Sequence, residues 1–218
     1  MINTIIKEDN NDISVLTYIP NFFTSDEVTS IKTELDNIDE WKESLTYDGT
    51  KIQRKQKWYQ KDNQPFCNKW QVQHDKWQSH NYTPFLTKLQ EDLENNITKY
   101  LLNHKSIQQP KFNSLLINYY QNGDNFIAPH QDNKFSFGKK PTIALLSFGE
   151  TREFILERTF KNTCKRNKDK EHYNKTFNLE DNSLFIMSGC VQQYFCHSIK
   201  KDITKILPRY SLTFRQFI

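Results

Sequence analysis

From Phe112 onward the chain breaks into short runs, FNSLLINYY, IAPHQD, PTIALLSFG, EFILERTF, SLFIMSG, VQQYFCHSI and RYSLTFRQFI, separated by Gly, Asn, Pro or charged turns. Runs of this length, rich in aromatic and β-branched residues and bounded by turn formers, read as strands. Many short strands following helices predict an α+β chain built on an antiparallel double sheet, with the helices packed on one face. The charged interruption KNTCKRNKDKEHYNK, 161–175, reads as a long hairpin loop or a frayed strand pair.

The helices come first in the chain. Thr24 followed by Glu27 has the form of a capping box, and Val28, Ile31, Leu35 and Ile38 recur at helical spacing, which predicts a helix from Ser25 to Ile38. A second begins at TPFLTKLQEDLENNITKYLLNH, 83–104, where Thr83 caps, Pro84 suits the first helical position, and Phe85, Leu89, Leu93, Ile97 and Leu101 form one stripe.

Length and composition narrow the rest. A chain of 218 residues fits one domain of generous size. Its formal charge is only +4, so the placement of bases matters more than their total. No secretory leader and no apolar run of membrane-spanning length is present, which predicts an intracellular chain, cytoplasmic or nuclear, with no membrane partner. Cys67, Cys164, Cys190 and Cys196 form no CxxC pair, and reduced thiols are the expectation.

Chemistry enters at 128-APHQDNKFSFGKKP-141, where His130 and Asp132 stand at i and i+2 and would share one face of a strand. A non-haem iron site needs two histidines and a carboxylate on one side of the metal, with the other positions open. His197, after the run YFC, is the natural third ligand, although alone it reads as a core histidine. In 209-RYSLTFR-215 an even spacing puts Arg209, Ser211, Thr213 and Arg215 on one face. Two guanidiniums facing an interior call for anions, and a small dicarboxylate supplies two. In 116-LINYY-120 the same parity joins Leu116, Asn118 and Tyr120, which adds an amide and a phenol.

The runs LINYYQNGDNFIAPHQD and IALLSFGETREF, the distal His197 and the closing PRYSLTFR together resemble the AlkB family of Fe(II)/2-oxoglutarate dioxygenases, in its nucleic-acid alkylation repair branch. The resemblance runs from about Phe112 to Ile218, with thinner matches at 20-PNFFTSDEV-28 and 54-RKQ-56. It implies a double-stranded β-helix, or jelly-roll, core over 112–218, with helices and a nucleotide-recognition lid in 1–111, as one domain and a monomer. By position, His130, Asp132 and His197 would hold Fe(II). Arg209 would pair with the far carboxylate of 2-oxoglutarate and Arg215 with the carboxylate beside its keto group, while Asn118, Tyr120 and Thr213 complete its binding site. The implied reaction consumes O2 and 2-oxoglutarate, releases succinate and carbon dioxide, and removes a methyl group from a base nitrogen as formaldehyde.

The implied partner is nucleic acid, DNA and potentially RNA, carrying lesions of the 1-methyladenine or 3-methylcytosine type in its repair. A base inside a duplex cannot reach such a centre, so it must be flipped out or taken from a single strand. The stretch 45-LTYDGTKIQRKQKWYQK-61 interleaves bases with Tyr47, Trp58 and Tyr59, which suits phosphate contact and base stacking. Arg54, Lys55, Gln56, Trp58, Tyr59 and Lys134 are therefore the candidate substrate contacts. Asn133 and Lys134 follow Asp132 where the DNA-repair members place a carboxylate, and Ser211 stands where many have asparagine. Oxygenase chemistry on RNA or a protein is the alternative within the same class. A catalytically silent nucleic-acid-binding module is the alternative outside it.

Overall fold

The computed structural model describes residues 1–8, 11–45, 49, 51–61, 79–159 and 174–218. The first helix, α1 (Ser25–Asp36), starts with the predicted capping box: Thr24 N–H donates to Glu27 Oε2 at 2.8 Å and Glu27 N–H to Thr24 Oγ1 at 3.4 Å. The second, α2 (Pro84–Ile97), opens with Leu86 N–H donating to Thr83 Oγ1 and passes into a 3-10 turn at Thr98–Tyr100. It stops short of the expected 104 because Asn96 Nδ2 and Thr98 Oγ1 donate to the Asp92 and Asn95 carbonyls. Side chains that compete for backbone acceptors weaken the last turn.

Two sheets carry the chain. The large one runs β1 (Ile2–Lys7), β2 (Ile13–Ile19), β11 (Ser183–Gly189), β8 (Ile143–Gly149), β13 (Arg209–Arg215), β6 (Ser114–Tyr120), β4 (Lys51–Gln60) and β3 (Lys42–Leu45), with β5 (His80–Asn81) also on β4. The small one runs β10 (Asn174–Leu179), β9 (Arg152–Arg158), β12 (Phe195–Ile199) and β7 (Ile127–His130). From β6 to β13 the chain alternates between the two sheets, β9 and β10 being the one consecutive pair that stays in the same sheet. That winding is a jelly roll, as the resemblance implied. Two short helices, α3 (Lys134–Phe137) and α4 (Val191–Tyr194), precede β8 and β12.

Side-chain alternation divides the apolar residues between two cores. Outward from the large sheet, Leu115, Ile117, Leu146, Ile186, Leu212 and Phe214 pack with Ile31 and Leu35 of α1 and Leu89 and Leu93 of α2. The helices thus lie on one face of the large sheet, as expected. Inward, Leu145, Phe154, Leu156, Phe177, Phe185 and Phe195 fill the space between the sheets. Each fully buried leucine or phenylalanine contributes roughly 1.5–3 kcal/mol.

Six strands lie outside the expectations. β1 and β2 join the large sheet through β11, β3, β4 and β5 extend it beyond β6, and β10 edges the small sheet. Lys175, expected in a long hairpin loop or a frayed strand pair, lies within β10, its Nζ donating to Thr4 Oγ1. The rest of the charged segment, 161–173, lies outside the described residues. The reduced-thiol expectation fails at Cys196, which is disulfide-bonded, whereas Cys190 is a free, buried thiol. Among the described residues no helix is long and apolar enough to cross a membrane.

Candidate active site

Between the sheets lies a cavity of about 330 Å³. His130 ends β7 and faces His197 of β12 across the antiparallel pair, with ring centroids 4.2 Å apart. Asp132 was expected on the same strand, but β7 stops at His130 and the carboxylate stands just beyond it. Its place comes from two distant residues. Arg215 grips it through Nε to Oδ2 at 2.6 Å and Nη2 to Oδ1 at 3.3 Å, and Gln192 Oε1 accepts from Asp132 N–H at 2.8 Å. Ligand atoms of His130, Asp132 and His197 all lie within 4.8 Å of one another.

The electrostatics of the three groups fit a cation. Burial, then the neighbouring His130, pushes His197 down to about 3, so its imidazole is neutral. Burial also lowers His130, whose Nδ1 lies 2.9 Å from the Ala128 carbonyl. A bond there makes Nδ1 the donor and leaves Nε2 as a lone pair toward the cavity. For Asp132 burial alone would raise the pKa, but Arg215, then His197 and His130, outweigh it and hold it at about 2. Two neutral imidazoles and one carboxylate are the donor set of an open-sided iron site.

β13 supplies a second set. Its register places Arg209 opposite Tyr120, Ser211 opposite Asn118 and Thr213 opposite Leu116 on β6. Asn118, Tyr120, Ser211, Thr213 and Arg215 line the cavity, as their parity predicted. Arg209 is buried behind them at 1% exposure, with its guanidinium 5.1 Å from the Tyr120 ring and Nε donating to Ser147 Oγ at 3.0 Å. Its Nη1 and Nη2, and Nη1 of Arg215, are buried without partners among the described residues. Burial lowers Arg209 to about 10, a value that still leaves it charged. Orphaned, charged donors at this depth fit a carboxylate ligand, since leaving them unmet is costly.

Alternation along β4 sorts the candidate substrate contacts. Arg54, Gln56 and Trp58 line the cavity. Arg54 Nε and Gln56 Nε2 both donate to Asn118 Oδ1, at 2.7 and 3.0 Å. The other parity points away: Tyr59 belongs to the helix-covered core, and Lys57 reaches the Asp39 carbonyl at 3.0 Å. Lys55 shares that parity and does not line the cavity. Lys134 is exposed on α3, with its Nζ 5.4 Å from the Phe135 ring, so it too stays outside the cavity. Tyr47 lies outside the described residues. Sequence reading missed Gln192, Gln131 and Asn133. The last two flank Asp132 in the chain and line the cavity, so proximity to the HxD could have found them, whereas nothing local marks Gln192.

Residues 15–215 match the profile of the 2OG-Fe(II) oxygenase superfamily. The chain belongs to that superfamily. The cofactors that go with it are Fe(II) and 2-oxoglutarate, and the histidine–aspartate cluster and the orphaned arginines fit them. Over 105 residues this 2OG-Fe(II) oxygenase is 37% identical to the human alpha-ketoglutarate-dependent dioxygenase alkB homolog 3, an alignment covering 48% of this chain and 36% of that protein. Over 127 residues it is 31% identical to the DNA oxidative demethylase ALKBH2 of Arabidopsis thaliana, covering 51% of this chain and 40% of the relative. The matches therefore span well under half the length of either relative. In fold the oxygenase is similar to OsALKBH1, with a TM-score of 0.63 at 18% identity, 92% of this chain and 97% of that one being covered. It is also similar to a Trichoplax adhaerens prolyl hydroxylase, with a TM-score of 0.56 at 11% identity and coverage of 93% and 83%.

Proposed function

We propose that this oxygenase is an Fe(II)/2-oxoglutarate-dependent oxidative demethylase of alkylated nucleic-acid bases, of the 1-methyladenine or 3-methylcytosine type, acting in DNA repair. The observation that carries the proposal is a His–Asp–His cluster on one cavity beside two buried arginines, of which Arg209 Nη1 and Nη2 and Arg215 Nη1 have no partner among the described residues. The two relatives named as a dioxygenase and a DNA oxidative demethylase support the choice of substrate. Residues 1–218 act as one domain and as a monomer.

His130, Asp132 and His197 would hold Fe(II), which with 2-oxoglutarate and O2 would supply the oxidising chemistry for hydroxylating the methyl group. Arg209 takes the far carboxylate of 2-oxoglutarate, helped by Tyr120, and Arg215 takes the near one with its free Nη1 while fixing Asp132. Asn118 and Thr213 complete that binding site. Arg54 and Gln56 hold the Asn118 amide in one orientation. Trp58 offers its face to the base, and the apolar walls at Leu145, Phe154 and Met187 exclude water from the reacting carbon.

The test measures succinate and formaldehyde on single- and double-stranded oligonucleotides carrying one 1-methyladenine or 3-methylcytosine, with Fe(II), 2-oxoglutarate and ascorbate. Both products above an unmethylated control are expected. Succinate without formaldehyde would move the activity to another substrate, and neither product would overturn the assignment of an enzyme.

A further inference from the structure

Arg54 borders two cavities. Beside the catalytic one lies a smaller, polar pocket of about 100 Å³, roughly three times the share of liquid volume that one water occupies. Three cations line it, Lys51, Arg54 and Lys55, and so do the amides of Gln53, Gln121 and Asn125. Among the described residues its one acid is Glu43, which Lys51 engages at 2.8 Å. We propose that this pocket binds one backbone phosphate of the nucleic-acid strand whose modified base enters the catalytic cavity. The inference rests on the demethylase reading and adds a place for the substrate's backbone.

Charge is the first argument. Lys51 engages Glu43 and Lys55 stands across from that acid on the neighbouring strand, so among the described residues three cations face one acid and a net positive charge remains. An excess of positive charge beside amide donors suits a phosphodiester, whose non-bridging oxygens accept from several N–H groups at once. Arg54 uses Nε on Asn118, and its planar fork can serve both cavities in a way an ammonium could not.

Rigidity is the second argument. The loop that carries Gln121 and Asn125 is clamped from behind: buried Arg152 donates through Nη2 to the Asn125 carbonyl at 2.8 Å and to the Lys200 carbonyl at 2.7 Å. Gly123 lies so close to the 202–205 turn that a Cβ on it would sit 1.7 Å from the Asp202 carbonyl oxygen. Gln121 N–H donates to Asn125 Oδ1 at 2.6 Å, which occupies the amide oxygen and leaves the Asn125 NH2 as a donor. Donors held in advance bind an anion without an ordering cost.

Adjacency is the third argument. Ile52 and Arg54 line both cavities, so the two are separated by one layer of side chains. A base and the phosphate of its own nucleotide are separated by one sugar. A flipped nucleotide therefore places its base on the metal side of Arg54 and its phosphate on the Lys55 side.

The experiment reads binding, by fluorescence anisotropy on metal-free protein, to single-stranded oligonucleotides carrying one 3-methylcytosine. Each phosphate flanking the lesion is replaced in turn by a neutral methylphosphonate, and wild type is compared with Lys51→Gln/Lys55→Gln, or with Lys55→Gln alone if the double variant does not fold. One replacement is expected to weaken wild-type binding about tenfold and the variant less than twofold. The variant's log Kd against log salt slope is expected to be shallower by about 0.7, the value for one phosphate contact on a single strand. Equal penalties in both proteins, together with formaldehyde release from the intact oligonucleotide, would overturn the phosphate pocket and leave the demethylase reading standing. A penalty lost in the variant, without formaldehyde from any methylated base, would uphold the pocket and remove the demethylase reading. No oligonucleotide binding by wild type would overturn both. Binding of free inorganic phosphate at Lys55, seen by ³¹P line broadening without any methylphosphonate penalty, would overturn the assignment to strand phosphate.

Discussion

On β13 the outward side chains Leu212 and Phe214 are fully buried in the helix-covered core, while the inward ones, Arg209, Ser211, Thr213 and Arg215, are almost as buried and all polar. β6 repeats the division, with Leu115 and Ile117 outward and Asn118 and Tyr120 inward. One face of the sheet is occupied by partners from its own chain. The other holds two arginines that are only partly satisfied, with Arg209 Nη1 and Nη2 and Arg215 Nη1 unpartnered among the described residues. Burial alone therefore does not reveal which residues stabilise the fold, because charged groups without partners cost free energy in the folded state. The inward face is read as a binding surface kept at the expense of stability.

Substitutions on the two faces should separate activity from stability. The largest effect is expected from Asp132→Ala, with iron-dependent succinate release falling to background and oligonucleotide binding largely kept. Turnover at the wild-type rate would remove Asp132 from the metal site. Next comes Arg209→Met, a swap of similar length that removes the orphaned charge. We expect the KM for 2-oxoglutarate to rise about 100-fold while Tm stays level or climbs, since replacing buried charge by an apolar group is often neutral or stabilising. A fall in Tm with an unchanged KM would invert the assignment of that face.

On the outward face, Leu93→Ala should cost about 2–5 kcal/mol of unfolding free energy, by urea denaturation, and leave the KM for 2-oxoglutarate unchanged at low temperature. The smallest effect concerns pH. The Asp132 carboxyl is held at about 2 in the folded, metal-free protein, against an ordinary value of 3.8. A depressed carboxylate contributes stability that is fully present above the unfolded value and is lost as pH falls through the folded one. The loss should amount to about 2 kcal/mol between pH 5 and pH 2, and Asp132→Asn should abolish that part of the slope. An identical slope in the variant would show that Arg215 does not govern the carboxylate.

Much of this division is written in the parity of the strands. The positions of Arg209, Thr213 and Arg215, of Asn118 and Tyr120, and of the two helices with their capping residues follow from spacing and turn chemistry. The parts that escaped depend on residues remote in the chain. β2 is buried along its whole length, so its burial shows no alternation, and it is fixed by pairing with β1 on one side and the distant β11 on the other. β10 buries just Phe177 and Leu179 at the edge of its sheet, and its polar majority reads as loop. Asp132 takes its position from Arg215, 83 residues away, and from Gln192, 60 residues away, so the two-residue spacing from His130 led to the right residue by a geometry the strand does not have. In 51–61, composition suggested one basic, aromatic surface, whereas alternation sends Trp58 and Tyr59 to opposite sides of β4.

The strand order of the large sheet carries one more consequence. β13 lies between β8 and β6, so each of its residues is committed on both flanks as well as on both faces, whereas β3 and β4 close the sheet at its far end. A one-residue deletion in β13 would exchange the arginines with Leu212 and Phe214. Among the described residues β3 has no strand on its outer side, so its side chains can be exchanged for those of a relative without touching β4, whose Arg54 and Gln56 hold Asn118 in the 2-oxoglutarate site.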